Sequence, residues 1–234
     1  MSGTLYLVGV GPGDPELLTL RSINVIGRAN VVAYPATGDE STFAREIARS
    51  YISPRATLLP VTIPMTVERG PAQAAYDGAA ALIQTHLEAE RDVAWLCEGD
   101  PLFYGSAMYL LSRLRDRARV EVVPGVSSLT AAAAAIARPL AARNEILKVL
   151  PAPLPDETLR AELFAAPAVA IIKVGRHFDR IRDLLRETGH ADNAVVVEHA
   201  TTLRQRITPL NGFRYGERPY FSTILCYRGN EAWG

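Results

Sequence analysis

The sequence predicts an α/β protein built from two α/β domains, residues 1–123 and 124–234, with a ligand cleft expected between them. Short apolar runs of strand length recur along the 234 residues, alternating with segments whose apolar positions fall at helical spacing. Hydrophobic residues make up 48% of the chain against 21% charged, and no apolar run approaches the roughly 18 residues a membrane span needs. Pro124-Gly125 breaks the pattern between a strand-like run and an alanine-rich helix, and the domain boundary is placed there.

Leu5–Val10 reads as a strand that ends in a glycine cluster, followed by helix-like spacing of Leu17, Leu18, Ile23, Val25 and Ile26. Val31–Tyr34 is a second strand, stopped at Pro35, and an amphipathic segment with Phe43, Ile47 and Ala48 on one face follows it. Thr57–Val61 then reads as a strand and Ala72–Ala89 as a helix. Val93–Cys97, flanked by Asp92 and Glu98, suits a strand buried on both faces. Met108–Leu114 is helical, Val120–Val123 a strand, and Ser128–Ala137 a helix. Beyond the boundary, strands are expected at Ile146–Leu150, Val169–Val174, Val195–Glu198 and Phe221–Tyr227, with a helix at Asp179–Glu187 ended by Gly189. Pro151, Pro153 and Pro155 mark a loop, while Arg204–Asn211 and Tyr215–Tyr227 read as antiparallel neighbours around Asn211-Gly212. Mostly parallel sheets are expected in each half, with more strand than helix in the second.

Lys plus Arg number 25 and Asp plus Glu 25, so there is no overall basic field to attract nucleic acid. Lys148 and Lys173 are the only lysines; the other cations are arginines, which suit planar carboxylates. Cys97 and Cys226 lie far apart and form no paired motif, which fits a reduced, cytoplasmic chain. The opening residues carry no basic stretch and too short an apolar run for a secretory signal, again pointing to the cytosol. His86, His177, His190 and His199 show no metal-ligand spacing, so no intrinsic metal site is expected. There is likewise no Gly-x-Ser-x-Gly elbow for acyl transfer.

Three motifs carry chemistry. Gly9-Val-Gly-Pro-Gly-Asp-Pro15 follows the first strand and precedes a helix, the position of a dinucleotide-binding turn. Counted from Gly9, however, the sixth position is Asp14 rather than glycine, Pro12 removes a donor, and no Walker lysine follows. A tight turn needing small residues is the structural alternative. Glu98-Gly-Asp-Pro-Leu-Phe-Tyr-Gly-Ser106 lies at the end of a buried strand, the edge where open α/β sheets bind ligands. Val122-Val-Pro-Gly-Val-Ser-Ser128 brings two hydroxyls to a helix start, where they either cap the helix or reach a ligand.

In this order and spacing, the three motifs resemble those of the tetrapyrrole (corrin/porphyrin) methyltransferase family. The resemblance runs on through Ile172-Lys-Val-Gly175 and Val197-Glu-His-Ala-Thr201, so it covers nearly the whole chain. Val32-Ala-Tyr-Pro-Ala36, the stretch from Leu96 to Ser106, Arg138-Pro-Leu-Ala-Ala-Arg-Asn-Glu145 and Val149-Leu-Pro-Ala152 point to one branch of it. The resemblance implies two α/β domains with S-adenosylmethionine folded into the cleft, in a homodimer, and a fold other than the usual Rossmann-like methyltransferase one. It implies a methyltransferase of cobalamin biosynthesis acting on a uroporphyrinogen-derived macrocycle, with S-adenosylhomocysteine as second product.

Carried over by position, Pro12, Glu98, Gly99, Asp100, Phe103, Ser127 and Ser128 fall where the family contacts S-adenosylmethionine. Val174, Ala200 and Thr223 are transferred from the second half; the family often has Gly at the position of Ala200 and Met near Val174, which leaves backbone contacts there. The resemblance also implies that Gly11, Gly13 and Asp14 line the tetrapyrrole trough, with Tyr104 and Arg143 in the substrate-binding set. Arginine is the natural partner of the macrocycle's acetates and propionates, with Arg21, Arg45, Arg138 and Arg176 as further candidates. Arg113, Arg115, Arg117 and Arg119 are read as a solvated helix end. Glu98, Tyr104 and His199 are the titratable groups in the motifs, and none is assigned as catalytic base.

Two other classes compete. A nucleotide-linked oxidoreductase would want a third glycine and an acidic residue after the second strand, where Ala33-Tyr34-Pro35 stands. A tetrapyrrole carrier would bind macrocycle without a methyl donor.

Overall fold

The computed structural model describes residues 2–36, 42–64, 69–164, 166–216 and 221–229. The chain divides into two compact units, Met1–Ser127 and Ser128–Gly234.

In the first unit, strands β1 (Thr4–Gly9), β2 (Val31–Ala36), β3 (Thr57–Thr62), β4 (Val93–Cys97) and β5 (Arg119–Val123) form one sheet. Its order is β3-β2-β4-β1-β5, and every pairing is parallel, as the sequence predicts. Both faces are covered, which explains the unbroken apolar runs of β1 and β4. Tyr6, Val8, Ala94 and Leu96 pack toward α1 (Leu20–Arg28) and α2 (Phe43–Ala48). Leu5, Leu7, Val93 and Trp95 pack toward α3 (Arg69–Glu88) and α4 (Met108–Leu114). The two-residue period of the strands sorts side chains between the layers.

Pro35 does not stop β2, which runs on to Ala36. Because β2 meets β4 only over Val31–Ala33, Pro35 lies where one flank of the strand is already outside the ladder. The arginine-rich segment after Met108 is also not uniformly solvated. Arg113 donates to Asp77 Oδ1 at 2.7 Å and Gln73 Oε1 at 2.8 Å, tying α4 to α3, and Arg119 at the start of β5 pairs with Glu121 at 2.6 Å.

In the second unit, α5 (Ser128–Ala135) precedes β6 (Leu147–Pro151), α6 (Asp156–Phe164), β7 (Ala168–Ile172), α7 (Phe178–Glu187), β8 (Ala194–Glu198), β9 (Arg206–Pro209) and β10 (Ser222–Tyr227). The sheet order is β6-β7-β10-β8-β9. Only β6 and β7 run parallel; the other three pairings are antiparallel, which corrects the expectation of a mostly parallel second sheet. The hairpin expected around Asn211-Gly212 is not formed, because β8 lies between β9 and β10, and residues 217–220 of that stretch fall outside the described residues. Helix α6 was hidden by its prolines: Pro155 sits just before its first residue, where a missing N–H is harmless, so the proline cluster is a helix entry as well as a loop. With it, helix is as prominent as strand in this half. One sheet face packs on α6 and α7 through Val169, Ile171, Ile181 and Leu185, the other on α5 through Ala170, Val197, Leu225 and Leu129.

Candidate functional site

In the first unit β1 and β4 are parallel neighbours, with Gly9 beside Cys97, so the loops that follow them leave the sheet side by side at its carboxyl edge. The chain reverses its direction of strand addition here, the position where open α/β sheets bind ligands. The loops stay paired beyond the strands: Val10 N–H donates to Cys97 O at 2.9 Å, and Gly11 and Gly99 exchange N–H···O bonds at 3.3 and 2.8 Å. Gly11 and Gly99 both hold φ in the left-handed region, +79° and +65°.

The loop after β5 closes onto this pair. A Cβ on Gly125 would stand 2.2 Å from Gly99 O, and one on Gly9 would stand 2.7 Å from Gly125 Cα. Close approach of backbone to backbone is what these glycines serve. Asp100 completes the junction: its Oδ1 accepts from Leu102 N at 2.9 Å and Phe103 N at 3.1 Å, while Oδ2 accepts from Gly125 N at 3.1 Å.

The structure therefore brings Gly11, Glu98, Gly99 and Asp100 together, with Pro12, Gly13 and Asp14 continuing one loop and Ser127 two residues beyond Gly125. Asp14 caps the short turn Pro15–Leu17 by accepting from Glu16 N at 2.9 Å, so part of its carboxylate serves local structure. Phe103 and Tyr104 meet edge to face with centroids 5.2 Å apart, both partly exposed, and Tyr104 holds φ at +54°. Desolvation raises the Glu98 carboxyl above the ordinary carboxylate range. Across the three loops, residues 9–14, 98–106 and 124–127, the charged side chains are Asp14, Glu98 and Asp100, with no Lys or Arg.

In the second unit, Val174 and Ala200 follow β7 and β8, and Thr223 lies near the start of antiparallel β10, so the three gather at one edge of the sheet. All three are buried, with Ala200 packed in the same cluster as Leu129 of α5, one residue after exposed Ser128. Four non-glycine residues at this edge adopt left-handed backbone: Lys173 (φ +58°), His199 (φ +47°), Thr201 (φ +70°) and Phe221 (φ +51°). Each such residue costs about 1 kcal/mol or more, and such costs concentrate at functional sites. The sequence motifs include Lys173, His199 and Thr201, and a strand is expected to start at Phe221, but nothing in the sequence signals their left-handed backbone. Apolar periodicity carries no signal for φ.

Arg143 is not brought to this edge. It occupies a turn closed by Glu145 N–H to Ala142 O at 2.8 Å, and Glu145 Oε1 accepts from Tyr227 OH at 2.9 Å, at the opposite end of β10 from Thr223. Arg138 is committed nearby, donating to Leu225 O at 3.2 Å. Of the other candidate arginines, Arg21 pairs with Glu121 at 2.9 Å, Arg45 lies over the Tyr34 ring at 5.7 Å, and Arg176 contacts His177 at 3.4 Å. Among the described residues, no group of three or more His, Cys, Asp and Glu side chains is placed to hold a metal ion. No helix among them is long and apolar enough to cross a membrane.

This arrangement matches a known family. The sequence profile of the Tetrapyrrole (Corrin/Porphyrin) Methylases fits residues 4–212, and the chain belongs to that family. It is 42% identical over 237 residues to the cobalamin biosynthesis protein CobIJ of Mycobacterium tuberculosis strain H37Rv, covering 98% of this chain and 47% of that protein. The chain thus spans about half the length of that relative. It is 38% identical over 231 residues to the precorrin-2 C(20)-methyltransferase of Sinorhizobium, covering 95% of this chain and 94% of that protein. Among solved structures, the uroporphyrin-III C-methyl transferase of Thermus thermophilus, complexed with S-adenosyl homocysteine, superimposes with a TM-score of 0.69 at 28% identity, over 96% of this chain and 97% of the other.

Proposed function

We propose that this protein is an S-adenosylmethionine-dependent C-methyltransferase that methylates C(20) of precorrin-2, giving precorrin-3A, in the building of the cobalamin ring. The observation that carries the methyl-donor assignment is the charge of the three-loop junction. Asp14, Glu98 and Asp100 are its only charged side chains. A dinucleotide pyrophosphate would meet carboxylates there and no cation, whereas a sulfonium or an ammonium group suits an acidic surround. The nucleotide-linked oxidoreductase reading is disfavoured on the same ground. Pro12, Glu98, the backbone of Gly99 and the 124–127 loop, with Phe103 and Ser127, would hold the donor in the first unit; Ser128, Val174, Ala200 and Thr223 are the positions offered by the second. When bound, S-adenosylmethionine supplies a methyl group already activated on sulfur.

The residues' task is then orientation. Loops fixed by paired glycines and by a carboxylate with three backbone donors cost little reorganisation, which is what a near-attack geometry of roughly 3–3.5 Å requires. A carbon–carbon bond forms at C(20), the sulfur–methyl bond breaks, and the C(20) proton leaves. Gly11, Gly13, Asp14 and Tyr104 are proposed to face the macrocycle. Arg143 lies at the far end of β10 and gains no support as a carboxylate anchor. The C(20) position is supported by the Sinorhizobium relative, named a precorrin-2 C(20)-methyltransferase, which matches over nearly the full length of both chains. The protein is proposed to work as a cytoplasmic homodimer.

The test is an anaerobic incubation of the full chain with enzymatically made precorrin-2, with and without inserted cobalt, using carbon-labelled methyl donor and reading mass and carbon NMR. One labelled methyl at C(20) is expected. Methylation only of the cobalt-loaded ring would move the protein to cobalt-precorrin-2; methylation at another carbon would overturn the regiochemistry. Binding of macrocycle with no transfer would leave a carrier.

A further inference from the structure

Asp100 falls among the positions that the family resemblance places against the methyl donor, yet its carboxylate is turned onto this chain's own backbone. Oδ1 accepts from Leu102 N and Phe103 N at 2.9 and 3.1 Å, and Oδ2 accepts from Gly125 N at 3.1 Å. The first two bonds shape the loop after β4. The third spans 25 positions and joins that loop to the one after β5. The joined loop has little freedom to settle elsewhere, since the space a Cβ would need at Gly125 is filled by Gly99 O and the Gly9 backbone.

We infer that Asp100 is a positioning residue: by holding Gly125 and the Leu102–Phe103 backbone together, it sets Ser127 and Phe103 in one register, and it does not itself contact the methyl donor. The inference rests on the methyltransferase reading for the identity of the ligand, and on this structure for the coupling. An ionised carboxylate only accepts hydrogen bonds, so it suits a junction where three N–H groups converge. An amide does not. In Asp100→Asn the carbonyl oxygen can serve Leu102 and Phe103 while its NH2 meets the Gly125 N–H, two donors face to face.

The experiment uses the full chain and S-adenosylhomocysteine, with affinity read by calorimetry and amide exchange followed at Gly125, Val126 and Ser127. Asp100→Asn is expected to weaken binding about tenfold and to speed exchange in the 125–127 segment. Ser127→Ala alone is expected to weaken binding about fivefold, and the double variant to match Asp100→Asn within twofold, since both changes spend the same contact. Should Asp100→Asn fail to accumulate, Asp100→Ser keeps a short acceptor for the local turn and takes its place. Losses that multiply in the double variant, with unchanged exchange at 125–127, would overturn the inference and make Asp100 a direct contact. A wild-type protein that binds no S-adenosylhomocysteine would sink the methyltransferase reading instead, while the exchange rates would still decide the coupling.

Discussion

His199 and Phe221 brace the edge of the second sheet. The His199 N–H donates to Phe221 O at 3.0 Å, their rings meet at 5.7 Å, and both residues hold left-handed backbone. Ala200 follows the first and Thr223 comes two residues after the second, so the pair fixes the backbone that leads into both. Thr201 continues the strained run, with its N–H held by Gln205 Oε1 at 2.7 Å.

A β-branched residue at φ +70° is a costly choice, and glycine would relieve it. Thr201→Gly is therefore expected to raise stability by about 0.5 to 1 kcal/mol in urea unfolding. Binding of S-adenosylhomocysteine should weaken in the same variant, because the relaxed backbone no longer presents Ala200 in one geometry. Destabilisation with unchanged binding would show that the strain has no functional role.

Two glycines make a matched contrast. Gly125→Ala places a methyl 2.2 Å from Gly99 O, a clash of backbone with backbone, and a loss of at least about 3 kcal/mol is expected. Gly78, exposed on α3, has nothing within 4 Å of its Cβ position, and Gly78→Ala should gain about 1 kcal/mol from helix propensity. Urea midpoints of the two variants should move in opposite directions.

Both thiols are buried and free. Burial pushes the Cys226 thiol up to about 12 and raises Cys97 further. Neither should react with a thiol reagent at pH 8 while the chain is folded, and two should react once urea unfolds it. Rapid labelling of the native protein would show that one of the thiols is open to solvent.

His190 is buried, and desolvation holds its ring below the ordinary histidine value despite its contacts with Thr188 Oγ1 and Ala166 O. Below about pH 6.5 the unfolded chain takes up a proton that the folded ring resists, so stability should fall as pH drops from there toward the depressed folded value. His190→Gln should flatten that decline in urea midpoints measured from pH 7.5 to 6.0. His86 and His177 are lowered by burial as well, so part of the slope should persist.

The central strands of the first unit are legible because β1, β2 and β4 are buried nearly along their whole length, and a parallel sheet covered on both sides writes long apolar runs. The second sheet was harder. Periodicity locates β9 and β10 but does not say that β8 will stand between them, since strand order is decided by packing. The proline cluster at 151, 153 and 155 hid α6 because the entry of a helix and a loop share the same composition. The motifs are legible as loops at the carboxyl edge of the first sheet, while the bonds their members make are visible only in the geometry: no spacing rule announces that Asp100 accepts from three backbone N–H groups. Nor does the sequence show that Arg138, a candidate carboxylate partner, donates to Leu225 O.

The placement of β10 in the middle of the second sheet bears on the order in which a growing chain can finish its parts. The first unit's sheet is complete once Val123 has emerged from the ribosome, because its five strands all precede that point. The second remains two separate strand pairs, β6 with β7 and β8 with β9, until the strand that joins them is synthesised after both. During that interval β7 and β8 present open edges, a hazard for pairing with another chain. Loss of β10 would part this sheet down its centre, whereas loss of β9 would only trim a side.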